Sequence, residues 1–210
     1  MKRAVVLPLF LLGLLLAAGC GGDDSGPGPV VQSCDVEIQD PTHPPDIQPL
    51  DRDARPRIEF VTSHGSFTVE VDGSKSPCNG DSMVDLAKRG FFDGTHFHRI
   101  VPEFIIQGGD PTGTGNGGAG YTTIDPPPPN TQYTKGVVAM AKSRFEQPGA
   151  GGSQFFIVIR DRADLPPDYA VVGTVVEGMD VVDKIGKLGN PRTEAPTERI
   201  TIESTAVSGE

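Results

Sequence analysis

Residues 58 to 71 read Ile58-Glu59-Phe60-Val61-Thr62, Ser63-His64-Gly65-Ser66, Phe67-Thr68-Val69-Glu70-Val71. Apolar and polar residues alternate in both runs, with a turn glycine between them. Side chains of a strand point to opposite faces with a period of two, so this pattern predicts a β-hairpin with one buried face. Further short apolar runs follow at His96–Val101, Phe104–Gln107, Val137–Ala141, Gln154–Ile159, Ala170–Val175 and Arg199–Thr205. The 27 glycines and 20 prolines among 210 residues favour turns over long helices. Two helices are nevertheless predicted. Met83, Leu86 and Ala87 recur at helical spacing within Ser82–Lys88, stopped by Gly90, and Met179–Lys187 follows Glu177-Gly178 and ends near Gly189. The expectation is a mainly β domain over 56–208, a closed antiparallel β-barrel capped by two helices.

The first residues carry an address. Lys2-Arg3 precede an almost unbroken apolar run from Val5 to Leu16, closed by Leu16-Ala17-Ala18-Gly19-Cys20. The run is short of the roughly 20 residues a comfortable membrane span needs, and reads as a signal segment over 1–19. Cys20 after Ala-Gly resembles the lipobox of bacterial lipoproteins, although Leu16 sits one place early and Ala17 holds the third position before the cysteine. That resemblance implies a diacylglyceryl group on Cys20 and an exported chain, lipid-anchored on the extracytoplasmic face of a membrane. The alternative is an ordinary secretory signal with an incidental cysteine. Residues 20–55, with Gly21-Gly22-Asp23-Asp24-Ser25-Gly26-Pro27-Gly28-Pro29 and later prolines, cannot bury an apolar face and read as a flexible tether. With Cys20 acylated, Cys34 and Cys78 remain, either a disulfide suited to an oxidising compartment or two separate thiols. A formal net charge of −10 argues against a nucleic-acid partner.

The most informative blocks come later. They are Phe97-His98-Arg99-Ile100-Val101-Pro102-Glu103-Phe104-Ile105-Ile106-Gln107-Gly108-Gly109-Asp110, then Ala139-Met140-Ala141, then Gly152-Ser153-Gln154-Phe155-Phe156-Ile157, then Tyr169 to Asp180. In this order they resemble the cyclophilin family of peptidyl-prolyl cis/trans isomerases, over about Arg57 to Ser204. The resemblance implies that Arg99 is the catalytic arginine, working with Phe104 and Gln107. It also implies that Phe104, Ile105, Phe156 and Leu165 form the proline pocket, that Ala141 lies on the substrate groove, and that Tyr169 stands where the family has His or Tyr. Proline-containing polypeptides would be the partners, and neither cofactor nor metal is called for. The chemistry fits these residue types: a prolyl amide rotates over a barrier of roughly 18–20 kcal/mol, and a fixed planar donor beside an apolar cup favours the twisted amide. Turned over poorly, the same pocket would instead serve as a proline-segment binding module or chaperone.

Departures bear on specificity. Asp164 stands where the family often has Trp, Val172 aligns with a Phe expected on the pocket's far wall, and Lys142-Ser143 replace Asn-Ala. Four other features read as structure. Gly113-Thr114-Gly115-Asn116-Gly117-Gly118 fits a dinucleotide fingerprint, but no helix opens after it. His96 and His98 lack a third metal ligand and read as hydrogen-bonded structural histidines. Ser153 lacks an assignable base, and Cys78 lacks a histidine partner.

Overall fold

A computed structural model describes Cys34, 36–40, Pro45 and 47–209. The signal segment 1–19 and Cys20 lie outside the described residues. The chain enters with β1 (Val36–Ile38), then the hairpin β2 (Arg57–Thr62) and β3 (Gly65–Val71), whose partners include Phe60 opposite Phe67. Helix α1 (Pro77–Lys88) leads to β4 (Arg99–Val101) and β5 (Ile105–Gly108). The middle of the chain supplies β6 (Tyr121–Ile124), β7 (Tyr133–Thr134), β8 (Val137–Met140), β9 (Ala150–Gly151) and β10 (Phe155–Val158). The last elements are β11 (Arg162–Ala163), β12 (Val171–Glu177), α2 (Met179–Gly186) and β13 (Ile202–Ser208).

Eight strands make the main sheet in the order β13-β2-β3-β12-β8-β10-β5-β4, every pair antiparallel. It is a half-barrel, which corrects the expected closed barrel. The edges β4 and β13 do not pair. Between them the backbone of 94–98 divides its bonds: Phe97 N–H donates to Ile200 O (3.0 Å), while His98 N–H donates to Gln107 O (3.1 Å).

The period of two along the strands sorts apolar residues into two cores. Val138, Met140, Phe155, Ile157, Ile106, Ile100 and Val172 join one cluster with Phe60, Phe67, Phe92 and Phe97, and with Met83, Leu86, Val182 and Ile185 of the helices. Their sequence neighbours Val137, Ala139, Phe156, Val158, Ile105 and Val171 build a second cluster on the other face. β8 and β10 are therefore buried throughout, and read as continuous apolar runs rather than alternations. Val172 is fully buried in the first core, so the expectation that it lines the pocket wall is corrected; Val171 faces that side.

Helix α1 starts a turn earlier than the apolar spacing implied, at Pro77, which suits a first helical position. Its first turns are polar yet buried, and they are satisfied from afar. Asp125 accepts from Asn79 N–H (2.7 Å) and Asn79 Nδ2 (3.0 Å), supplying the cap that Ser76 does not. Arg52 grips Asp81 with two nitrogens, at 2.6 and 2.8 Å.

The reading of 20–55 as free tether is corrected for its described part. β1 pairs with β6, Leu50 packs on the first core, and Arg52 is bound to Asp81. Of the two readings left open for Cys34 and Cys78, the structure has the disulfide, across a Cα separation of 5.3 Å.

Candidate active site

In the β4–β5 pair, Arg99 and Gln107 are direct partners, so their side chains leave the sheet on one face. Arg99 Nη1 donates to Gln107 Oε1 (3.2 Å), and Gln107 Nε2 donates to Gln154 Oε1 (3.0 Å). Gln154 Nε2 in turn donates to Gly115 O (3.0 Å) and Gly117 O (2.8 Å). On its other edge the guanidinium gives Nε to Glu194 Oε2 (2.7 Å). Arg99 thus spends two of its three nitrogens on protein acceptors while its side chain stays 39% exposed. A donor fixed at two points and open at the third can face a substrate without reorganising.

The glycine-rich loop at the far end of this chain explains its own sequence. Asp110 is buried, and its carboxylate accepts from Thr112 N–H (2.7 Å), Thr112 Oγ1 (2.8 Å), Gly115 N–H (2.6 Å) and Gly117 N–H (3.2 Å). The backbone donors that a dinucleotide fingerprint would aim at a phosphate are turned on an internal carboxylate. Burial pushes the Asp110 pKa up, but these hydrogen bonds outweigh it and hold the group at about 2. A Cβ on Gly117 would collide with Asp110 Oδ1, so that position takes glycine only. Gly109, at φ +82°, lies under Ser153 O with no room for a side chain. Ser153 itself is buried and donates Oγ to Gly109 O (2.7 Å), tying the two blocks together rather than acting as a nucleophile.

His96 and His98 sit beneath the same loop. A Cβ on Gly113 would meet the His96 ring, and one on Gly115 would lie 3.8 Å from that of His98. Among the described residues neither ring nitrogen of His98 meets a partner in good hydrogen-bond geometry, although the Gln154 side chain lies near enough to favour the charged ring. Burial pushes the pKa of both imidazoles below the ordinary value, against the nearby Asp110 carboxylate, which favours the charged form.

Beside the polar row lies the second apolar cluster. Ile105 and Phe156 are part of it, and Phe104, Ala141, Leu165 and Tyr169 pack against it half-buried. The structure therefore brings every residue singled out for the pocket to one face, next to Arg99 and Gln107. Phe156 and Tyr169 meet edge to face at 5.3 Å. Tyr169 is fixed by Tyr133, whose hydroxyl accepts from Tyr169 N–H (3.0 Å) and donates to Tyr169 O (2.8 Å). Burial raises the Tyr133 pKa, which keeps that hydroxyl protonated and able to donate. Asp164 is exposed at the edge of this cluster, beside Leu165. Ala141 also lines a groove of about 410 Å³ shared with Gln107 and Gln154, whose rim carries Lys142 and Ser143.

Two members of the site were not anticipated. Gln154 lies inside the Gly-Ser-Gln-Phe-Phe block, and its placement just before an all-apolar strand was a usable signal. Glu194 had none, being an isolated acid in a loop 95 residues from its partner.

The fold is thus a half-barrel with two helices, and its site sets one arginine on a row of amides beside an apolar cup. Residues 57–207 match the family described as cyclophilin type peptidyl-prolyl cis-trans isomerase/CLD. A peptidyl-prolyl cis-trans isomerase of Arabidopsis thaliana is 36% identical over 156 residues, covering 72% of this chain and 93% of that protein. The peptidyl-prolyl cis-trans isomerase-like 1 proteins of Homo sapiens and Aspergillus niger are 34% and 37% identical, covering 93% and 90% of their own lengths and 73% and 69% of this chain. A cyclophilin type peptidyl-prolyl cis-trans isomerase of Cryptosporidium parvum, solved in the presence of the dipeptide Ala-Pro, superposes with a TM-score of 0.65 at 27% identity, covering 73% of this chain and 99% of that one. The chain belongs to the cyclophilin-type peptidyl-prolyl cis-trans isomerase family.

Proposed function

We propose that this isomerase accelerates rotation about X-Pro bonds in exported proteins as they fold, at a membrane surface to which a lipid on Cys20 anchors it. The observation that carries the catalytic part is the two-point fixing of Arg99 by Gln107 and Glu194 beside the Phe104–Phe156–Leu165 cup. The cup takes the proline ring and excludes water. Nη2, the guanidinium nitrogen with no protein acceptor among the described residues, faces the prolyl amide as it twists. The planar amide delocalises its nitrogen lone pair, and the twisted one does not, so a donor that meets only the twisted form lowers the barrier. Nothing covalent is made or broken, and no cofactor takes part.

Export is supported by two independent features. Lys2-Arg3 and the apolar run to Leu16 read as a signal segment, and the Cys34–Cys78 bond suits an oxidising compartment. A mature lipoprotein anchor carries several acyl chains, which holds far better than one.

A protease-free isomerisation assay on an Ala-Pro peptide tests the catalytic part. Arg99→Ala is expected to lose about 100-fold in kcat/KM with an unchanged circular dichroism spectrum; activity within a factor of two of wild type overturns the role of Arg99. Metabolic fatty-acid labelling tests the anchor: label on wild type and none on Cys20→Ser is expected, and an unlabelled wild type overturns it.

A further inference from the structure

The groove beside Arg99 has one wall that the isomerase domain does not supply. Gln39, just past β1, lines it together with Gln107, Ala141, Lys142, Glu146 and Gln154. Gln39 is brought there from outside 57–207, the span that matches the family. β1 pairs with β6 over only three residues, Val36, Glu37 and Ile38, opposite Thr123, Thr122 and Tyr121. So short a ladder, largely exposed, holds a strand weakly. The disulfide from Cys34 to the buried Cys78 of α1 supplies the missing constraint, two residues before the strand begins. At the other end Gln39 N–H and Asp40 N–H both donate to Gly120 O at 2.8 Å, turning the chain at the groove's rim.

The side chain is also prepared. Gln39 Nε2 donates to Thr122 Oγ1 (2.9 Å), which fixes the amide and leaves Oε1 and the second N–H without a partner among the described residues. Opposite, Lys142 Nζ is engaged with Ser143 O (3.3 Å) and Glu146 O (3.1 Å), and Glu146 accepts from Ser143 N–H. Both charged side chains are thus positioned by nearby backbone groups, and the neutral Gln39 amide remains on offer.

We propose that Gln39, held by the Cys34–Cys78 bond, is a specificity-determining residue of the isomerase groove and selects substrates that place a neutral hydrogen-bonding side chain there. This rests on the isomerase reading of Arg99. A glutamine side chain entering the groove replaces the water on the Gln39 amide with a matched donor and acceptor. An apolar side chain of the same size strips that water and returns nothing.

The test measures kcat/KM for Ala-Pro peptides in which the residue immediately outside the Ala-Pro unit, on one side or the other, is Gln or Leu. Wild type is expected to prefer Gln by about threefold to tenfold on one side, the worth of a single neutral hydrogen bond. Gln39→Ala brings that ratio close to one. Cys34→Ala does the same by releasing β1, as does reduction of wild type with a dithiol, whereas Glu37→Ala on the exposed part of the same strand keeps the ratio. A preference that survives Gln39→Ala within a factor of two overturns the assignment, and one that survives Cys34→Ala overturns the tethering role of the disulfide. Turnover without any preference in wild type overturns this proposal alone, and absence of turnover on every peptide overturns the isomerase reading with it.

Discussion

Glu194 holds β4 at two neighbouring residues, Arg99 and Ile100. Its carboxylate accepts from Arg99 Nε at 2.7 Å, and its carbonyl accepts from the N–H of the next residue, Ile100, at 2.8 Å. Glu194 adopts φ +58° to do so, a left-handed conformation uncommon outside glycine. A surface pair of this exposure adds little to stability, so its value lies in aiming the guanidinium. Glu194→Ala is expected to lower kcat by about threefold to tenfold with KM and melting temperature nearly unchanged. Steady-state isomerisation kinetics decide this, and an unaltered kcat removes the positioning role.

Acid stability should fall in two steps. His98 has its pKa lowered by burial, while in the unfolded chain it titrates near its ordinary value of 6.5. A depressed folded pKa means the stability it contributes is fully present above about pH 6.5 and is lost as the pH falls below that. Asp110 follows at lower pH. Its folded pKa of about 2 against 3.8 gives a contribution present above about pH 4 and lost as the pH falls toward 2.

The Asp110 step is worth about 2 kcal/mol by linkage. Asp110→Asn should lose a comparable amount at pH 7, because an amide turns a donor toward the Gly115 and Gly117 N–H groups. Denaturant titrations from pH 7 to pH 2 read both steps. A variant whose acid profile matches wild type would show that the loop does not depend on that carboxylate.

Arg52→Ala strands a buried carboxylate. The Asp81 side chain is fully buried, and among the described residues it accepts from Arg52 and from Leu50 N–H at 3.2 Å. The expected cost is roughly 2–4 kcal/mol in urea unfolding, since removing one partner leaves an uncompensated charge. Replacing both residues with apolar ones of similar volume should recover much of it. A loss below about 0.5 kcal/mol would place the pair among the surface bridges that contribute nothing.

Asp164 bears on inhibitor response. Cyclophilins that bind cyclosporin tightly resemble one another in a Trp at the aligned position, whose N–H donates to the drug. An ionised Asp can only accept, and burying it beneath a ligand strips its hydration. Asp164 is exposed beside Leu165 at the cup's edge. Wild type should therefore be active yet insensitive to nanomolar cyclosporin, and Asp164→Trp should gain at least about tenfold in drug affinity. Nanomolar inhibition of wild type contradicts the placement of Asp164 at the rim.

Much of the hairpin and of the cup could be read from the residues themselves. The alternation in Ile58–Thr62 and Phe67–Val71 becomes β2 and β3 in the expected register, because a period of two is a local property of the backbone. Arg99, Phe104, Gln107 and Phe156 lie within runs whose order along the chain resembled a known family, and the fold gathers them on one face. The short strands β6, β7, β9 and β11 escaped notice, because two to four residues are too few to show a period of two.

What the sequence determined by itself is whatever depends on neighbours along the chain: strand period, turn sites, and the order of the Arg99, Gln107 and Phe156 blocks. Only the tertiary structure decided which face each apolar residue takes where both faces are buried, as with Val171 and Val172. It likewise decided that β4 and β13 stop short of closing, that Asp125 caps a helix 46 residues away, and that Glu194 aims Arg99. The same holds for Gln39, which composition placed in a tether and a disulfide places in the groove. Each is a pairing between residues far apart in sequence. Such a pairing leaves no local trace, because its energy exists only once the chain between the partners has folded and brought them within a few ångströms.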